Sequence, residues 1–223
     1  DPLTTFGLIE LLLAAAAAAS LAALRFIGTS IDSPAYLYSP LNSAADLVLM
    51  AAQALVMIGP AALLMGLLFP LAARLCRVDA AGSGTSVGRV YAWNTLGGIL
   101  GAFAAGFWGL SLLGAHGSFL FLIALNAAAG AAALYASGAL SRGRFDRRAA
   151  GVGLILVLLC AYARKDPSLE ILEGRLRRSY PEGFEILFHD ESPAATITGV
   201  LLRTRLRSLL VNGILTAGTA DAG

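Results

Sequence analysis

Residues 47–76 read LVLMAAQALVMIGPAALLMGLLFPLAARLC, and the only charge in that stretch is Arg74. A helix rises ~1.5 Å per residue, and the hydrocarbon core of a bilayer is ~30 Å thick, so ~20 apolar residues suffice to cross it. The stretch is long enough with residues to spare. Working outward, Leu3–Ile27 carries Glu10 and Arg25 alone, while Val90–Leu113 and Ser118–Ser137 carry no charge. A shorter apolar run, Ala149–Ala163, follows. Four spans are expected, with a fifth at Ala149–Ala163 that either crosses or lies tilted in the interface.

The composition agrees. Apolar residues make up 57% of the chain and charged ones 13%, with a mean hydropathy of +0.75, whereas soluble domains carry roughly 25% charged residues. The charges are unevenly placed. Residues 1–163 hold eight Arg, no Lys and six acids, whereas residues 164–223 hold eight basic and eight acidic side chains. That shift places a domain boundary between 163 and 164. The expected architecture is mostly α: a multi-pass transmembrane helical bundle (1–163), then a short antiparallel β meander beginning a soluble domain (164–223). The net charge of +2 is divided among loops, which argues against a nucleic-acid partner; the expected partner is the lipid bilayer. A second copy of the chain is a candidate too. Cys76 and Cys160 form no disulfide framework and read as free, buried thiols. The opening Asp1-Pro2 and the trailing Thr216–Gly223 read as the ends of a piece of a longer protein.

Basic residues orient the spans. Arg74, Arg77 and Arg89 flank one loop, and Arg142, Arg144, Arg147 and Arg148 crowd another. Two helices separate these loops, so both lie on one side, the cytoplasmic side of an inner (plasma) membrane. The loop Gly28–Asp46, with Pro34, Tyr36, Tyr38 and Pro40, is then extracytoplasmic. The polar stretch Arg77–Arg89 reads as a loop, and Gly114-Ala115-His116-Gly117 as a turn. If Ala149–Ala163 spans, the tail emerges outside; if it lies in the interface, the tail stays inside.

The tail changes period. Leu169, Leu172 and Leu176 mark a short amphipathic helix over Ser168–Tyr180, ended by Pro181-Glu182-Gly183. Phe184–His189, Ala194–Leu202 and Leu206–Val211 read as strands. Thr204-Arg205 reads as a turn, and Asn212-Gly213 as a hairpin turn before Ile214. The meander is too small to bury a core alone.

Several residues carry candidate chemistry. Glu10 is the one acid inside a span, a counter-charge or a residue reaching the headgroups. Gln53 reads as an interhelical hydrogen-bonding group. Asn94 shares a small-residue face with Gly97, Gly98, Gly101 and Ala105, which suits close helix packing or a polar substrate path. Pro60 kinks the second helix, either structurally or as a gating element. His116 and His189 each lack a partner at ligand spacing, so no metal site is expected. Arg203, Arg205 and Arg207 fall on one strand face by a period of two. No nucleophile–base pair and no phosphate-binding loop is visible, so no catalytic or cofactor-binding residue is assigned.

In their order these segments resemble a family of membrane-embedded spermidine synthase-like proteins. The resemblance rests on Gly7-Leu8-Ile9-Glu10-Leu11, on Pro60 with Met65-Gly66 and Phe69-Pro70, and on Gly88-Arg89-Val90-Tyr91-Ala92-Trp93-Asn94-Thr95-Leu96-Gly97 with Gly101 and Gly106. The tail adds Glu191-Ser192-Pro193-Ala194-Ala195-Thr196-Ile197-Thr198 and Leu209-Leu210-Val211-Asn212-Gly213. The resemblance implies a major-facilitator-like bundle joined to a polyamine aminopropyltransferase domain. It also implies decarboxylated S-adenosylmethionine as co-substrate and a polyamine such as putrescine as acceptor. In such proteins two further spans precede the helix that opens this chain. The dinucleotide-type domain with the catalytic aspartate follows the meander, so the stretch 1–223 lacks the active site. A major-facilitator-like transporter of polyamines or other small organic cations, and a non-catalytic membrane anchor, are the alternatives.

Overall fold

A computed structural model describes residues 1–31, 44–76, 83–138, 147–162 and 166–219. Helices come first: α1 (Pro2–Ile31), α2 (Ala44–Leu75), α3 (Ser83–Ala104), a π-helical turn (Ala105–Gly109), α4 (Leu110–Ala136), α5 (Arg147–Tyr162) and α6 (Pro167–Ser179). Four strands follow: β1 (Phe184–Glu191), β2 (Thr196–Leu202), β3 (Arg207–Val211) and β4 (Ile214–Gly218). Three helical runs, Pro2–Leu24, Leu47–Leu75 and Gly84–Ala136, are long and apolar enough to cross a membrane. Contacts group the chain into two units: Asp1–Leu100 with Phe119–Lys165, and Gly101–Ser118 with Asp166–Gly223.

Within the first unit, α1 buries one face. Gly7, Glu10, Leu11, Ala14, Ala18 and Leu21 recur at helical spacing and are all buried. A Cβ on Gly7 would lie 2.8 Å from the Gly130 carbonyl oxygen, and one on Gly130 would lie 2.9 Å from the Gly7 carbonyl oxygen. Two helices therefore meet backbone to backbone, which only glycine permits. Farther along α1, Ala14, Ala18 and Leu21 cluster with Ile123 of α4 and Leu156 of α5. Thus α5 is a packed member of the bundle.

Pro60 lies inside α2. Proline removes a backbone donor and loosens the carbonyls of the turn before it. Ser20 of α1 donates its hydroxyl to the Met57 carbonyl in that turn, the kind of repair by which a neighbouring helix makes an internal proline tolerable. Ring contact between Phe69 and Tyr91, edge-on at 6.5 Å, joins α2 to α3. One side of α2 and much of α3 are open: Leu63 is 74% exposed and Trp93 67%.

Several boundaries differ from the sequence reading. Helix α3 begins at Ser83 rather than Val90, because backbone hydrogen bonding tolerates polar side chains where the bilayer does not. The expected four-residue turn at 114–117 shrinks to Gly114 alone, with φ 67° and ψ 178°, inside an otherwise continuous helix. Cys76 is exposed at the end of α2 rather than buried, and Cys160 is half-buried; both are free. Pro34, Tyr36, Tyr38 and Pro40, as well as Arg77, Arg142 and Arg144, lie outside the described residues.

In the second unit, α6 is built from local rules. The Asp166 carboxylate accepts from the Ser168 amide at 2.8 Å and its hydroxyl at 2.7 Å, and Pro167 opens the first turn. Glu170 sits in the first turn and Arg177 and Arg178 in the last, matching the helix dipole. Its apolar face, Leu172 and Leu176, covers Val200, Leu202 and Leu210 of the sheet. The sheet is an antiparallel meander in the order β1-β2-β3-β4. Asn212 and Gly213 both have positive φ, as a type I′ hairpin turn requires. The Asn212 side chain also accepts from the Thr196 amide at 2.9 Å. Phe188 pairs with Gly199 across the β1–β2 ladder, and its ring fills the space that a Cβ on Gly199 would take. Arg203 and Arg205 do not line a strand: they sit in the β2–β3 turn, where Arg205 has φ 63°, and only Arg207 is on a strand.

Candidate functional site

Glu10 lies on the buried face of α1, one turn beyond the Gly7–Gly130 crossing. Its carboxyl makes no hydrogen bond or ion pair among the described residues. A carboxyl held among Leu11, Ala14 and their neighbours has exchanged water for apolar surroundings, which is costly unless a partner arrives. Gln53 is half-buried on α2.

Asn94 is exposed on α3. Gly97, Gly98 and Gly101 share its helix, and nothing stands within 4 Å of a Cβ built on any of them. Ala105 is exposed and begins the π-helical turn, whose wider ring breaks the 3.6-residue period on which the face was counted. Among the described residues, nothing packs closely against these three glycines. The close contact is instead at Gly7 and Gly130, which the sequence reading had not paired; the signal available was a glycine within the alanine run 127–133.

A second group of polar residues lies at the Gly114 break. The Glu191 carboxylate, at the end of β1, accepts from the Ala115 amide. A Cβ on Gly114 would stand 2.8 Å from Glu191 Oε2, the movable end of that side chain, so it is the positive φ that calls for glycine there. Ser118 donates to the Gly114 carbonyl at 2.7 Å. On the other side of Glu191, Oε1 is 3.6 Å from His189 Nε2. His189 Nδ1 is 2.9 Å from the Thr198 hydroxyl, its cross-strand partner. Hydroxyl, imidazole and carboxylate in that order match a nucleophile-activating relay. Thr198 is only 2% exposed and the imidazole–carboxylate gap exceeds hydrogen-bond length, so the arrangement braces the sheet and cannot present the hydroxyl to a substrate. Both ring nitrogens of His116 are buried without a hydrogen-bond partner among the described residues. No three His, Cys, Asp or Glu side chains among the described residues are grouped to hold a metal ion.

An open groove of about 550 Å³ runs between α6 and β1, lined by Glu173, Arg177, Tyr180, Phe184 and Ile186 among others. It offers both charges and an aromatic face, all from the single stretch 173–186 where α6 turns into β1. The chain matches no known family model, no curated protein and no solved structure.

Proposed function

We propose that this chain is a multi-pass inner-membrane protein of the spermidine synthase-like kind, its bundle in lipid and its meander leading into an aminopropyltransferase domain. The observation that carries the membrane part is the outward apolar surface of α2, α3 and the start of α4. Leu55, Leu63, Trp93, Ile99 and Leu112 are all more than 60% exposed, far beyond the scattered apolar residues a water-soluble surface tolerates, and lipid is the solvent that accepts them. The family part is supported by the order of the motifs from Gly7 to Gly213 and by an antiparallel meander where the resemblance calls for one. The activity implied is transfer of an aminopropyl group from decarboxylated S-adenosylmethionine to an amine such as putrescine. No residue of this chain is assigned to that chemistry. The complete protein, purified in detergent, is expected to form spermidine from putrescine and the donor; absence of product across a range of amine acceptors removes the enzymatic reading.

A second reading rests on Glu10. A buried carboxyl with no partner among the described residues, on the inner face of a helical bundle, suits a counter-charge for an organic cation. In proteoliposomes, transport of this kind predicts polyamine uptake that falls at least tenfold in Glu10→Gln; uptake that is absent or indifferent to the substitution removes it.

A further inference from the structure

The contact between Glu191 and the Gly114 break has a topological meaning. The helical run from Arg89 to Gly114 rises ~37 Å at ~1.5 Å per residue, more than the ~30 Å of a hydrocarbon core. Arg89 belongs to a basic segment with Arg74 and Arg77, the kind that stays cytoplasmic. Gly114 is therefore at the other face. Glu191 is in β1, and its carboxylate reaches the Ala115 amide directly. A strand on the cytoplasmic side would be a whole bilayer away from that amide.

We infer that the β1–β4 sheet sits on the extracytoplasmic face, latched by Glu191 to the helix break at Gly114. This rests on the membrane reading above and not on the enzymatic one. The latch has a physical reason. Breaking the helix at Gly114 leaves the amides of the next turn without carbonyl partners and with partial positive charge. An ionised carboxylate is the strongest neutral-pH acceptor for such a group. Packing of α5 gives separate support. Leu156 clusters with Ala14, Ala18 and Leu21 of α1, so α5 runs among the spanning helices instead of lying flat. A crossing α5 carries the chain from the basic segment 142–148 to the far side, where the tail begins.

The test uses two single-cysteine versions of the full chain, with Cys76→Ser and Cys160→Ser as background. Glu185→Cys marks an exposed position of β1, and Thr85→Cys an exposed position at the start of α3. In intact cells a membrane-impermeant maleimide is expected to label Glu185→Cys at least tenfold more than Thr85→Cys, and both equally after permeabilisation. Protection of Glu185→Cys until the membrane is opened overturns the inference. A separate sample of the same cells is lysed and its membranes washed in alkaline carbonate: chain released into the supernatant overturns the membrane reading itself, whichever thiol reacts. The latch is read by hydrogen exchange in detergent. Glu191→Ala is expected to speed exchange at Ala115 roughly tenfold, in line with loss of a charged hydrogen bond, and Glu191→Gln, a neutral acceptor of the same shape, by less. Exchange unchanged in both variants overturns the latch.

Discussion

Helices α1 and α3 look alike on paper and behave differently in the fold. Each is an apolar span rich in glycine and alanine with a polar residue on its small-residue side, Glu10 in one and Asn94 in the other. In α1 that side is closed, with Gly7 against Gly130 and Ala14 and Ala18 fully buried. In α3 it is open, and no atom approaches Gly97, Gly98 or Gly101. Small residues permit close approach, but the approach happens only where a second helix is equally small at the matching height. Gly130 provides that match for Gly7. Helix α3 has aromatic rings on its surface instead, with Phe103 and Phe107 stacked at 4.7 Å and Trp108 edge-on to Phe103 at 6.0 Å.

The contrast can be broken by substitution. The largest effect is expected for Gly130→Leu, whose side chain would have to displace the Gly7 backbone. Overpacking of this kind costs ~3 kcal/mol, read as a shift in the unfolding midpoint in mixed detergent micelles; a change below about 1 kcal/mol would mean that α1 and α4 do not cross there. Next is Ser20→Ala, which strips the hydroxyl from the Met57 carbonyl beside Pro60. Interhelical hydrogen bonds in membranes average ~0.6 kcal/mol, so a small loss is expected by the same measurement; no change would mean that the Ser20 hydroxyl does not hold the Met57 carbonyl. Smallest is Gly97→Leu, expected to change stability by no more than ~0.5 kcal/mol. A loss as large as that of Gly130→Leu would show that α3 has a partner and would erase the difference between the two helices.

The long apolar helices were legible because length and hydropathy are local quantities. Leu47–Leu75 needed no neighbour to be recognised. The hairpin turn at Asn212-Gly213 was legible for a similar reason, since those two residues tolerate positive φ and few pairs do. Helix α6 announced itself through Asp166-Pro167 and its spaced leucines. What could not be read were the pairings. Glycines at 97, 98 and 101 signal room for a neighbour without saying whether one exists, whereas Gly7 and Gly130 are separated by more than a hundred positions. Glu191 gave no hint that it would end a helix break at Gly114. The arginines at 203, 205 and 207 suggested a strand because a two-residue period was counted across a turn. As for function, Glu10 was visible as a lone acid, but its burial depends on which face α1 turns inward.

Phe188 and Gly199 carry a last consequence. The ring lies where any side chain at position 199 would have to be, so neither position can vary freely. Among chains built on this sheet, a larger residue at 199 should appear only together with a smaller one at 188. Paired change at those two sites, in sequences otherwise drifting apart, would be the evolutionary signature of the meander.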